Sequence, residues 1–122
     1  MSPGAMKLLE LRKHLGMSQE AFAESIGASP SQLSYIESGQ RHVPDKASDI
    51  LRICDGLPLS QHQYAALHEA LTLSLGKFRL SPGAPEEQFL LLAALRDAVM
   101  REPSRAKVLQ WRELLLITAK QT

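Results

Sequence analysis

A chain of 122 residues, 44% of them apolar and 22% charged, can bury a core and is too apolar to stay disordered throughout. Its formal net charge is only +1, with six Lys or Arg against seven Asp or Glu up to residue 56 and eight against six beyond it. Bulk charge therefore gives no support to nucleic-acid binding, and any such case must rest on where individual charges sit.

Strand signals are scarce, and the helix formers Leu, Ala, Glu, Gln, Arg and Lys dominate, so an all-α chain is expected. The first helix is predicted over Ala5 to Leu15, with Leu8, Leu11 and Leu15 at helical spacing and Gly16 as its stop. Ser18 caps a second helix with Phe22, Ala23 and Ile26 on one face, ended by Gly27. Ser29 caps a third, with Pro30 at its first position and Gln32 at the capping-box position; Gly39 ends it. Pro44-Asp45 opens a fourth, containing Ile50, Leu51, Ile53 and Cys54, and Asp55-Gly56 stops it. Ser60 with Gln63 forms another capping box and starts a fifth, carrying Tyr64, Leu67, Leu71 and Leu75. Ser81-Pro82-Gly83 lies in a breaker-rich stretch and marks a boundary. A sixth helix follows over Pro85 to Arg101, and Pro103-Ser104 separates it from a seventh over Ser104 to Ala119. The division expected is 1–76 as one domain, 77–85 as linker and 86–122 as a helical module.

The string Ser18 to Gly39 meets several separate requirements of two short helices crossing steeply. Ala23 is small where the helices approach, Gly27 can adopt the positive φ of a tight turn, and Phe22, Ile26, Leu33 and Ile36 are apolar where the core closes. Along the third helix Leu33 and Ile36 point one way, while Ser31, Ser34, Tyr35 and Ser38 point away from them.

Over about residues 6–72 the chain resembles the Cro and phage-repressor (Xre-type) family of helix-turn-helix regulators. The resemblance is carried by Leu11-Arg12, Gly16-Met17-Ser18-Gln19-Glu20, Phe22-Ala23, Ile26-Gly27-Ala28-Ser29, Leu33-Ser34, Ile36-Glu37-Ser38-Gly39, Arg41 and Pro44. It implies a five-helix DNA-binding domain, here followed by two C-terminal helices, and a third helix that lies in the major groove of double-stranded DNA with its N-terminal residues at base edges. Ser31, Gln32, Ser34 and Tyr35 are then the candidate base readers. Gln32 has a competing role as capping partner of Ser29, and Tyr35 as a half-buried ring. The resemblance implies a phosphate contact from Gln19, at the start of the second helix, where unpaired N–H groups gather. Lys13, Gln40, Arg41, His42 and Lys46 are further phosphate candidates, the last four flanking the loop after the third helix, where solvated charge is the alternative. It also implies an internal ion pair between Arg12 and Glu37.

The C-terminal helices match no pattern we can name. Phe89 to Leu95 and Leu114 to Ile117 are apolar nearly all round, so each helix needs cover on more than one side. A subunit interface built from Phe89, Leu92, Leu95, Val99, Trp111 and Leu115 would supply it; packing onto the N-terminal domain of a monomer is the alternative. A homodimer would present two recognition helices to half-sites about 34 Å apart.

Four histidines show no metal-ligand spacing, no Gly-rich phosphate loop occurs, and no catalytic constellation is visible. No cofactor, metal or enzymatic activity is expected. Cys54, the single cysteine, is expected to be buried, and it fits a reducing compartment. No stretch reaches the ~18 apolar residues of a transmembrane helix, and Met1 to Gly4 do not open like a signal peptide. A cytoplasmic protein without membrane attachment is the expectation. The sequence thus points to a dimeric repressor reading a palindromic operator. The competing readings are an antitoxin-like protein whose C-terminal helices bind a partner protein, and a scaffold that has lost DNA binding.

Overall fold

In the computed structural model, which describes residues 1–121, the described residues form seven helices and no strand. They divide into two compact units, Met1–Phe78 and Arg79 onward.

The first unit holds five helices: α1 (Pro3–His14), α2 (Gln19–Ser25), α3 (Pro30–Glu37), α4 (Ala47–Gly56) and α5 (Gln61–Thr72). Their starts follow local chemistry. Ser2, Ser18, Ser29 and Ser60 each accept a first-turn N–H through the hydroxyl, which satisfies donors with no helical partner. The Ser2 cap and Pro3 behind it start α1 two residues before the expected Ala5. Conversely, α4 starts later than Pro44-Asp45, at Ala47, with Lys46 in the cap position and no side-chain cap. Of the predicted stops, Gly16, Gly27 and Gly39 have positive φ, whereas Gly56 is the last residue of α4 and does not.

Leu8, Leu11, Phe22, Ala23, Ile26, Leu33, Ile36, Ile53 and Leu67 form a continuous buried core. Phe22 is wholly enclosed; truncating such a ring to alanine costs about 3–5 kcal/mol. The expected inward face of α5 needs correction at its end. Leu75 lies past the helix and is 64% exposed, while Ser74 is buried. Ser74 Oγ accepts the Gly4 N–H at 2.7 Å and donates to the Ala70 carbonyl at 2.6 Å. One hydroxyl thereby satisfies a free donor at the start of α1 and holds the end of α5 beside it. Leu51, on α4, is also exposed, whereas Cys54 is buried and burial pushes its thiol pKa up, helped by the charge of Asp55.

In the second unit α6 (Glu86–Met100) begins with Glu86 and Glu87, carboxylates suited to a helix N-terminus. A turn with Glu102 at φ 53° leads to α7 (Arg105–Lys120), capped by Ser104. Neither helix buries a single residue. Phe89, Leu95, Val99 and Leu115 are exposed, and Leu92 and Trp111 are half-buried.

Candidate nucleic-acid interface

The α2–α3 turn fixes the attitude of α3. Gly27 takes φ 73°, and the Arg52 guanidinium of α4 packs where its Cβ would be, 3.0 Å from that position. Any side chain here would meet both the left-handed conformation and Arg52. Leu33 and Ile36 are buried on the inner side of α3. On its outer side Ser31, Ser34 and Tyr35 are exposed together, Tyr35 at 51%.

Gln32 is exposed as well, but its side chain is engaged. Its Oε1 accepts the Ser29 N–H at 3.0 Å while its own N–H donates to Ser29 Oγ at 3.1 Å, a complete capping box. It lines a cleft of about 290 Å³ behind α3, shared with Ile36, Arg41 and Arg52. A bidentate contact to adenine uses both Oε1 and Nε2, so at Gln32 it competes with the cap.

Behind the exposed face lies a polar knot joining three helices. Glu37 accepts from Arg12 Nε at 2.7 Å and Nη2 at 3.0 Å, and from Gln19 Nε2 at 2.8 Å. Arg12 Nη1 also donates to the Met17 carbonyl at 3.2 Å. The two charged side chains are only 17% and 7% exposed. Burial by itself would raise the Glu37 pKa, but the Arg12 and Gln19 hydrogen bonds and the charges of Arg12 and Lys13 outweigh it and hold the carboxyl below its usual range. The Glu37 bond correspondingly raises the Arg12 pKa, against its desolvation. Gln19 is thus anchored inside, half-buried, with one amide hydrogen given to Glu37 and the other left for an outside acceptor.

Lys13, Gln40, Arg41, His42 and Lys46 are all exposed. The loop carrying the last four is not loose. Gln40 and Arg41 N–H groups donate back to the Tyr35 carbonyl at 2.9 and 3.2 Å, and Val43 is buried. Two acidic residues near these groups are engaged: Glu10 pairs with Lys7 at 3.3 Å and Asp49 with Arg52 at 3.4 Å. Arg52 was missed by sequence reasoning, since its contact with Gly27 spans two helices; the only local hint was Asp49 three positions earlier.

A family model described as "Helix-turn-helix domain" matches residues 5–67, a little over half of the chain, from within α1 to the middle of α5. The chain belongs to the helix-turn-helix domain family. The match agrees with the Cro and phage-repressor resemblance of the sequence. No curated protein matches the chain, and no solved structure does. A helix-turn-helix domain is a DNA-binding unit of transcription regulators, so the protein is read at that level as a DNA-binding regulator. Among the described residues no helix is long and apolar enough to cross a membrane.

Proposed function

We propose that this helix-turn-helix protein is a transcriptional repressor that binds a palindromic operator as a homodimer. The observation that carries the reading is the two-sidedness of α3. Its inner face is locked by Leu33 and Ile36, and its outer face offers Ser31, Ser34 and Tyr35 with nothing over them. Hydroxyls of both kinds can donate to or accept from base edges, and the Tyr35 ring can meet a thymine methyl. Gln32 joins them where its cap opens. Gln19, Lys13, Gln40, Arg41, His42 and Lys46 hold phosphates on either side and set the register.

One short helix makes few base contacts, and a second copy doubles them. Dimerisation is assigned to Phe89, Leu92, Leu95, Val99, Trp111 and Leu115 on α6 and α7, of which Phe89, Leu95, Val99 and Leu115 are exposed and the other two half-buried. Work on chromosomal DNA then places the protein in the cytoplasm. The deciding experiment is binding of the full chain to its own upstream region over a salt series, with random duplex as control. Specific, salt-dependent binding with two protected half-sites about one helical turn apart supports the reading. Equal affinity for both duplexes removes the operator from it.

The same bare α6 and α7 favour a second reading, an antitoxin-like protein whose C-terminal helices cover themselves with a partner protein. Sedimentation separates the two. A dimer at tens of micromolar speaks for the first, and a monomer both free and on DNA speaks for the second.

A further inference from the structure

Two segments more than 30 residues apart in sequence are pressed together beside the loop that follows α3. Burial of Val43 pins that loop, and burial of Ser74, with its bonds to Gly4 and Ala70, pins the chain just after α5. Between them Gly76 lies flat against the His42 imidazole. A Cβ on Gly76 would come within 2.5 Å of ring atoms Cε1 and Nδ1, so a side chain there would push the exposed ring aside. The next residue, Lys77, leaves this junction beside His42, Val43 and Asp45, with which it lines a shallow cleft of about 200 Å³. Lys77 is exposed, and among the described residues it forms no ion pair within 4.0 Å.

We propose that Lys77 is a DNA phosphate contact, completing a basic edge with Arg41, His42 and Lys46. The inference rests on the DNA-binding reading above and adds a residue outside the helix-turn-helix match. Charge gives it weight. Arg41 and Lys46 against Asp45 leave the loop one net positive charge, and Lys77 doubles it. A flexible ammonium beside a fixed loop suits phosphate, which needs a point charge and no particular base. The edge is built from chain on both sides of α4 and α5, so it would grip the backbone only when the first unit is fully folded.

The test is fluorescence anisotropy of the full chain with a labelled random-sequence duplex of about 30 base pairs, from 50 to 300 mM KCl on the scale where counterion release is resolved. Each Lys or Arg on a phosphate adds about −0.9 to the slope of log K against log salt. With Lys13, Arg41 and Lys46 alone the wild-type slope is about −2.7 per bound protomer, and with Lys77 it is about −3.6. Lys77→Ala should make the slope shallower by about 0.9 per bound protomer and weaken binding several-fold at low salt, while Lys77→Arg keeps the slope. The loss should be the same on specific and random DNA, and the melting curve should not move. If the wild type binds and Lys77→Ala gives a parallel line of equal affinity, the Lys77 contact is overturned and the DNA-binding reading stands. If the wild type fails to bind any duplex at 50 mM salt, both are overturned.

Discussion

Replacing Glu37 by Gln removes one charge from the knot that ties α1, α2 and α3 while keeping its shape. In the wild type that carboxylate receives three hydrogen bonds, two from Arg12 at 2.7 and 3.0 Å and one from Gln19 at 2.8 Å. Glutamine has a single acceptor oxygen, so one Arg12 bond is lost and the other no longer joins opposite charges; hydrogen bonds to charged groups contribute about 1.5–3 kcal/mol each. Severing a fully buried pair costs about 3–5 kcal/mol. Arg12 here keeps 17% of its side-chain surface, and water there softens the loss. A destabilisation of about 1.5–3 kcal/mol at pH 7 is expected, read from urea unfolding followed by circular dichroism.

The pH dependence gives a sharper check. The folded Glu37 pKa lies below its ordinary 4.5, so its charged form stabilises the fold above that pH, and the contribution fades as pH falls through the folded value. Below both values the wild-type carboxyl is neutral, as glutamine always is. The gap between wild type and Glu37→Gln should therefore be full at pH 7 and close progressively on acidification below about 4.5. Equal urea midpoints at pH 7, or a gap that stays constant down to the acid limit of folding, would refute the reasoning.

Further outcomes follow from the same geometry. Ser31→Ala and Tyr35→Ala should each weaken operator binding by about 1–3 kcal/mol per lost base contact, leaving random-duplex affinity and melting unchanged; equal loss on both duplexes would make them phosphate contacts instead. Ser74→Ala strands the buried Gly4 N–H, and thermal and urea unfolding should register a loss of about 1–3 kcal/mol. An unaltered midpoint would mean that water reaches that donor. A Leu95→Asp, Leu115→Asp double variant should sediment as a monomer with its helical content in the first unit intact. A dimer that survives both charges would move the subunit interface elsewhere.

Much of the helical frame was written in short-range signals. Ser18, Ser29, Ser60 and Ser104 bond N–H groups three residues on, and Gly16, Gly27 and Gly39 turn the chain at positive φ. Each is a local interaction whose partners are fixed by spacing, so a string of letters contains it. The inward positions Phe22, Ile26, Leu33 and Ile36 follow from helical periodicity for the same reason. Local signals also misled where a distant partner intervened. Leu75 fits the apolar spacing of α5, yet the helix stops at Thr72 and Ser74 turns inward, because its hydroxyl serves an N–H seventy positions away.

Tertiary structure alone decided the finer features of the reading surface. The Gln32 cap is local, but the cleft it lines is closed by Arg41 and Arg52 from other segments. Arg52 braces the Gly27 turn from another helix, and Gly76 brings Lys77 to the loop after α3. The bareness of α6 and α7 is likewise a matter of packing: their sequences announced apolar surface on every side, and only the fold reveals that none of it is fully buried and that Leu92 and Trp111 are half covered. Caps, stops and periodicity depend on residues a turn apart. Which side chain meets which across 25 to 70 positions depends on where the core closes, and that is a property of the whole chain.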